Sequence, residues 1–388
     1  MPQPENHNQP DRPPDRDADL VGEKSEEKRA YYEASQWQLI GRRFGKHRVA
    51  FWMLHVLIVL YAVCLNCGFF APYGKNQRHV KRLSQPPQVV HFGRVEGHTL
   101  PRFYVHPFVR DENPETLRRS YRVKRDERVP LRFLVRGRTW HFLGFIETDL
   151  HLFGVEGGHT AFLLGTDPLG RDMLSRILYG GRISLLVGFT GVLISFFFGI
   201  VLGGVSGYFG GLIDLAIQRV VEVLMTIPKI PIWLAMAAAI PKEWTSLEVY
   251  IAMTMILGCI GWTGLCRVVR GKLLSLREED YARAAVLAGA SQRRVIFIHL
   301  VPNFLSHIIA ALTLRVPAMI LAETGLSFLG LGLRPPIVSW GVLLKQANNV
   351  SVVVNQPWLL VPAAMVIIAV LAFNFTGDGL RDAADPYA

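Results

Sequence analysis

The chain has 388 residues, with 42 Lys and Arg against 31 Asp and Glu for a net charge of +11; half of it is hydrophobic and only four residues are Cys. Its charge is segregated: several windows run for about twenty residues without any, the length needed to cross ~30 Å of hydrocarbon. A soluble globular protein, a single-span anchor and a disulfide-stapled secreted domain are therefore excluded.

Residues 1–35 are proline-rich and of mixed charge, with almost no apolar side chains, and are expected to form a disordered cytoplasmic tail. The first apolar stretch begins near Val49, too far in and too long for the core of a cleavable signal peptide. Over 36–48, Trp37, Leu39, Ile40 and Phe44 alternate with Arg42, Arg43 and Lys46, the pattern of an amphipathic helix on an anionic membrane surface. Six spans are expected. Those over 49–70, 183–205, 249–266 and 357–375 contain no Asp, Glu, Lys or Arg. Those over 217–240 and 304–326 are interrupted, the first by Arg219, Glu222 and Lys229, the second by His307, Arg315 and Glu323. All four cysteines fall in apolar runs, so Cys64 and Cys67 read as small helix filler rather than a redox or metal pair.

Between the first two spans, 71–182 is polar, basic and aromatic. It is expected to be a small domain outside the bilayer with short strands around 89–108 and 129–145, followed by the lead-in to the second span. Its histidines (His91, His98, His106, His141, His151 and His159) are scattered without ligand spacing, so no metal site is expected. Orientation follows from short loops. The loop 267–299 holds seven basic residues against three acidic, which makes it cytoplasmic. Six spans then leave both termini cytoplasmic, the last residues 377–388 forming a C-terminal tail, and turn 71–182 outward. In the second span Gly199, Gly203 and Gly207 recur every four residues, a spacing that permits close helix approach.

The loop 267–302 carries the functional signal. Ser275 and Glu278 have capping-box spacing, and Glu278, Glu279 and Asp280 favour a helix N-terminus. Tyr281, Ala284, Ala285 and Ala288 place small residues and one ring on adjoining turns. Gly289 falls where a left-handed cap wants glycine, and Ser291 can cap a second helix running through Arg293, Arg294, Ile296 and His299 to Pro302. A bent helical hairpin with a small-residue face can enter another protein's groove; a solvated connector is the alternative. No Gly-x-x-x-x-Gly-Lys-[Ser/Thr] phosphate loop is present, since Gly271-Lys272 is followed by Leu273 and lacks the earlier glycine. ATP chemistry, if the chain uses it, must come from elsewhere.

The run from Glu279 through Tyr281, Ala284, Ala285, Gly289, Ala290 and Ser291, continuing to His299 and Pro302, resembles the coupling loop of bacterial ABC-importer permeases. So do four further segments: Gly165-Thr166-Asp167 with Gly170-Arg171-Asp172 and Tyr179 to Ser184; Gly207 to Gly211 with Asp214; Glu323 to Gly332 with Pro335, Pro336 and Ser339-Trp340-Gly341; and Asn374 to Asp382 with Asp385-Pro386. They resemble the oligopeptide/dipeptide/nickel group and cover about 36–75 and 160–388.

The resemblance implies an all-α polytopic membrane protein of six transmembrane helices, the type I ABC-importer permease fold, with an extracytoplasmic insert between spans 1 and 2 and a permease core over 183–376. It implies a non-catalytic subunit without cofactor in a bacterial inner membrane. Its partners would be a second homologous permease, two ABC ATPases, an extracytoplasmic solute-binding protein and the lipid bilayer, with no nucleic acid. Glu279, Tyr281, Ala284, Ala285, Gly289, Ala290, Ser291, His299 and Pro302 would form the ATPase-coupling loop. Peptides are the expected solute; nickel, an opine, a sugar or an antibiotic peptide through the same machinery is the alternative, and a stand-alone secondary transporter a further one. The insert over 76–160 matches none of these segments and would contact the binding protein or brace the partner permease. Charges within spans cost ~2.5–3.5 kcal/mol at the midplane. Arg219 and Glu222, three apart, are expected to pair. Lys229 and Arg315 are candidates for lining a translocation path, or for pairing within the subunit. Glu323 is a candidate for the path or for bracing the last spans.

Overall fold

The computed structural model describes residues 36–95, 100–112, 119–142, 146–155, 158–291, 294–300 and 308–384. The 1–35 tail, His98 and Pro302 lie outside them. Helix α1 (Gln36–Lys46) turns Ile40 inward and leaves Trp37 exposed. His47 then caps α2 (Arg48–Leu65), its Nδ1 accepting from the Ala50 amide at 3.1 Å. The first span is shorter than the apolar run: α2 stops at Asn66, whose side chain donates back to the Ala62 carbonyl, and a single turn, α3 (Cys67–Phe70), leads out.

The insert is a β domain, as its patterning predicts. Strands β1 (Val90–Gly93), β2 (Arg102–Val105), β5 (Val129–Phe142) and β6 (Ile146–Val155) form an antiparallel sheet in the order β1-β2-β5-β6. Strands β3 (Phe108–Glu112) and β4 (Arg119–Val123) pair separately. Val105, Val129, Leu131 and Ala161 form its small core. The sheet is seated on α3 and the residue that follows it. The Trp140 ring covers Gly68, leaving no room there for a β-carbon, and the His151 ring lies between the carbonyls of Ala71 and Arg138 at 3.0 and 2.9 Å.

Helix α4 (Met173–Phe209) is the axis of the molecule. Asp172 caps it by accepting from the Ser175 amide, and Gly210, with φ +66°, ends it. Its 37 residues reach about 55 Å, well beyond the ~30 Å of hydrocarbon. The 183–205 expectation was therefore only its charge-free middle. Just before it, Asp167 is fully buried and paired with both Arg171 and Arg176.

The third expected span is broken. Helices α5 (Gly211–Thr226) and α6 (Lys229–Ala238) meet at 87°, where Pro228 cannot donate to the preceding turn. Helix α7 (Ser246–Gly261), opened by a Thr245–Glu248 capping box, runs almost directly into α8 (Thr263–Leu276). Arg267, Arg270 and Lys272 are thus on a helix rather than in a loop. Helix α9 (Asp280–Leu287) and a π-helical turn, Val295–Leu300, follow.

Another membrane-length helix runs Ile308–Phe328, its regular part being α10 (Val316–Phe328). Short helices α11 (Trp340–Lys345) and α12 (Val350–Asn355) precede α13 (Val361–Ala384). Helix α13 continues past 376, which corrects the expected break into a tail: Gly377 and Gly379 are buried contact points against Leu314 and Ala50. Among the described residues five helices are long and apolar enough to cross a membrane, six if the bent pair counts as one.

Candidate functional site

The α8–α9 hairpin is bolted to the inner core. Along α4, Gly199, Gly203 and Gly207 face α8: β-carbons built on the last two would sit 2.6 Å from the Cys266 carbonyl oxygen and 2.8 Å from that of Arg270. At this approach Arg270 reaches across to Asp214 on α5 with two hydrogen bonds, 2.6 Å from Nε and 2.5 Å from the terminal nitrogen. Ser206 of α4 donates to the same carboxylate and accepts from Gln218 at 2.9 Å. One carboxylate thus fastens three helices. A fork-to-fork pair adds direction as well as strength.

Helix α9 begins later than its sequence suggests. Ser275 sits in the last turn of α8 rather than at an N-cap, and Glu279, with extended backbone, is the residue that opens α9. Glu278 instead ties the corner. It accepts from Arg283 at 2.5 Å and from Arg277 at 3.1 Å, bonds that hold its carboxyl below the usual range. Arg277 also reaches the Gly207 and Tyr208 carbonyls at 3.5 and 3.4 Å, so the corner is joined to the end of α4.

Ala282 is the inward anchor, packed with Leu273, Val295 and Ile296. The opposite face of α9 carries Tyr281, Ala284, Leu287 and Ala288, all exposed, with Leu287 89 % exposed. An apolar side chain so bare has no partner within the described chain. Gly289 ends the helix at φ +80°, and no atom lies within 4 Å of the place a β-carbon would occupy; strain rather than collision is what excludes a side chain here. Ser291 caps the next segment, accepting from the Arg294 amide at 3.4 Å, as expected. Ala285 and Ala290 are half-buried against the inward cluster. His299 belongs to the π-helical turn.

The three charges proposed for a path serve different neighbours. Lys229 is exposed at the start of α6, beside the 87° bend. Arg315 donates to the Gly261 carbonyl at 3.1 Å, filling the break between α7 and α8. Glu323 is completely enclosed, which corrects its placement beside a path. It accepts from Ser184 on α4 and Ser327 on its own helix, both at 2.8 Å. Ser184 in turn accepts from the Trp340 amide at 3.1 Å, and Ser327 from the Leu333 amide at 3.0 Å. Arg219 and Glu222 pair at 2.9 Å on an exposed face. Neither the Asp214–Arg270 fastening nor the Ser184–Glu323 link has a local signal: the partners are 56 and 139 residues apart.

Known proteins are similar in sequence to this chain. Residues 199–387 match the binding-protein-dependent transport system inner membrane component, and residues 35–87 match the N-terminal TM domain of oligopeptide transport permease C. The oligopeptide transport system permease protein OppC of Haemophilus influenzae is 39 % identical over 253 residues, 64 % of this chain and 78 % of that protein. The dipeptide transport system permease protein DppC of Bacillus subtilis is 40 % identical over 224 residues, 57 % of this chain and 68 % of that protein. Among solved structures, an inward-facing MetNI methionine ABC transporter aligns at 19 % identity over 55 % of this chain and 98 % of that one, with a TM-score of 0.42. The chain therefore belongs to the family of binding-protein-dependent transport system inner membrane components.

Proposed function

We propose that this chain is a non-catalytic permease subunit of an ABC importer that takes up peptides, the solute class named for its relatives OppC and DppC. It pairs with a second permease in a bacterial inner membrane, receives solute from an extracytoplasmic binding protein and is driven by two ATPases on the cytoplasmic side. Glu279, Tyr281, Ala284, Ala285, Gly289, Ala290 and Ser291, with His299 and Pro302, form the coupling element.

The bare outer face of α9 carries this reading. A short helix that exposes Tyr281, Ala284 and Leu287 while its inner face packs on the cluster that includes Leu273 of α8 and the corner before it is tied to the end of α4 can receive a push and pass it on. The small residues permit close approach of a groove, and Leu287 supplies the apolar contact. No part of this requires chemistry by the chain itself.

The test is a cross-link followed by transport. Leu287→Cys is expected to trap a co-expressed ATPase subunit in the assembled transporter, with trapping dependent on nucleotide. Gly289→Asp is expected to insert normally yet abolish peptide-stimulated ATP hydrolysis in reconstituted vesicles. Absence of trapping at 287 and neighbouring cysteine positions, with normal transport by Gly289→Asp, overturns the assignment.

A further inference from the structure

Where α2 leaves the apolar region and meets the insert, two hollows adjoin, separated by Trp140. The first, about 360 Å³, is bordered by Tyr73, Lys75, Arg138, Tyr179 and Arg182. Among the described residues that line it, all the charged ones are basic and none is a carboxylate. The Arg138 guanidinium lies directly over Gly74, and Arg182 and Cys67 line the same hollow. Converging like charges repel, and an anion among them relieves that repulsion.

The second hollow, about 480 Å³, lies on the other side of Trp140 and is walled by Phe69, Phe70, Phe142, Ile146 and Leu150. Phe142 and Ile146 remain substantially exposed. Both hollows sit beside the end of α2, one turn past the last residue of a membrane span, at the depth where lipid headgroups meet acyl chains.

We propose that this paired site binds an anionic glycerophospholipid, its phosphate among Arg138, Arg182 and Lys75 and part of one acyl chain against Phe142 and Ile146. Charge selects the headgroup. The adjoining apolar wall selects a lipid over a free anion, and the depth supplies it from the bilayer. A bound lipid then serves as mortar between the insert and the end of α2, filling the seam that Trp140 only divides.

The test uses the assembled transporter released from vesicles of equal phosphatidylglycerol and phosphatidylcholine, with retained lipid read by native mass spectrometry. The wild type is expected to retain phosphatidylglycerol preferentially. Arg138→Gln with Arg182→Gln is expected to lower that retention roughly 25-fold, each basic residue near a membrane surface contributing on the order of fivefold to holding an anionic lipid. Phe142→Ser with Ile146→Ser is expected to lower it as well. If the double arginine variant fails to assemble, Lys75→Gln carries the test with an expected loss of roughly fivefold. Equal retention of both lipids, or undiminished phosphatidylglycerol in the basic-residue variant that assembles, overturns the proposal. Displacement of the lipid by millimolar inorganic phosphate also overturns it, because the hollow is then a site for a free anion.

Discussion

Glu323 is the sharpest case at the scale of single residues. A carboxyl group sealed among membrane helices is costly unless its hydrogen-bonding capacity is used, and Ser184 and Ser327 use it while each also receives a backbone amide. Glutamine keeps the shape and an acceptor, whereas alanine strands both hydroxyls at about 1–3 kcal/mol each. Glu323→Gln, which keeps one of the two acceptors, is thus expected to keep near-normal uptake with a modest loss of thermal stability, and Glu323→Ala to lose more. Lost uptake by Glu323→Gln at unchanged melting temperature would instead return this residue to the solute's route. Gly289 was legible from sequence because its requirement is local, a positive φ at a helix end. Glu323 was legible only as a charge out of place. Ser327 is one turn along the same helix, but Ser184 comes from another helix 139 residues away, and no spacing rule reaches that far.

At the scale of elements, the glycine face of α4 decides how α8 lies. A leucine at 203 would drive its β-carbon to within 2.6 Å of the Cys266 carbonyl oxygen, a backbone atom that cannot swing aside. Overpacking of this kind costs typically 1–3 kcal/mol, occasionally more. Gly203→Leu is expected to loosen the Asp214–Arg270 fastening and abolish transport while Gly271→Leu, with no atom within 4 Å of its β-carbon position, leaves it intact. Protease sensitivity at the α8–α9 corner would report the loosening; equal sensitivity in both variants would refute the packing account. The glycine spacing itself could be read in advance. The partner surface could not, nor could the ends of α4, α8 and α13, because helices persist past an apolar stretch when neighbouring segments keep covering them. Gly377 and Gly379, in the stretch expected to be a tail, act as contact points.

For the whole molecule, the count of crossings fixes which side each surface faces. Between the insert and α9 lie α4, the bent pair α5–α6, and α7–α8. If the bent pair crosses the membrane, three crossings separate them and they face opposite sides; if it turns back, they share one. Val109→Cys in β3, exposed at the insert, is expected to react with an impermeant maleimide on intact spheroplasts. Leu287→Cys is expected to react only in inside-out vesicles. Labelling of both from one side would make the pair a re-entrant loop and undo the assigned orientation. Apolar run lengths revealed the helices, and the polar, aromatic composition of the insert pointed to strands around 89–108 and 129–145, while β4, β6 and most of β3 lie outside those ranges. The charges Arg219, Glu222 and Lys229 marked this span as irregular, yet the bend and its angle are properties of packing.

Helix α4 is unbroken from Met173 to Phe209, joining the seam beneath the sheet to the corner that positions α9. A shaft about 55 Å long has leverage: tilting it by about 10° moves one end by about 10 Å relative to the other. Small angular adjustments at either extremity would be magnified across the bilayer without bending anything in between.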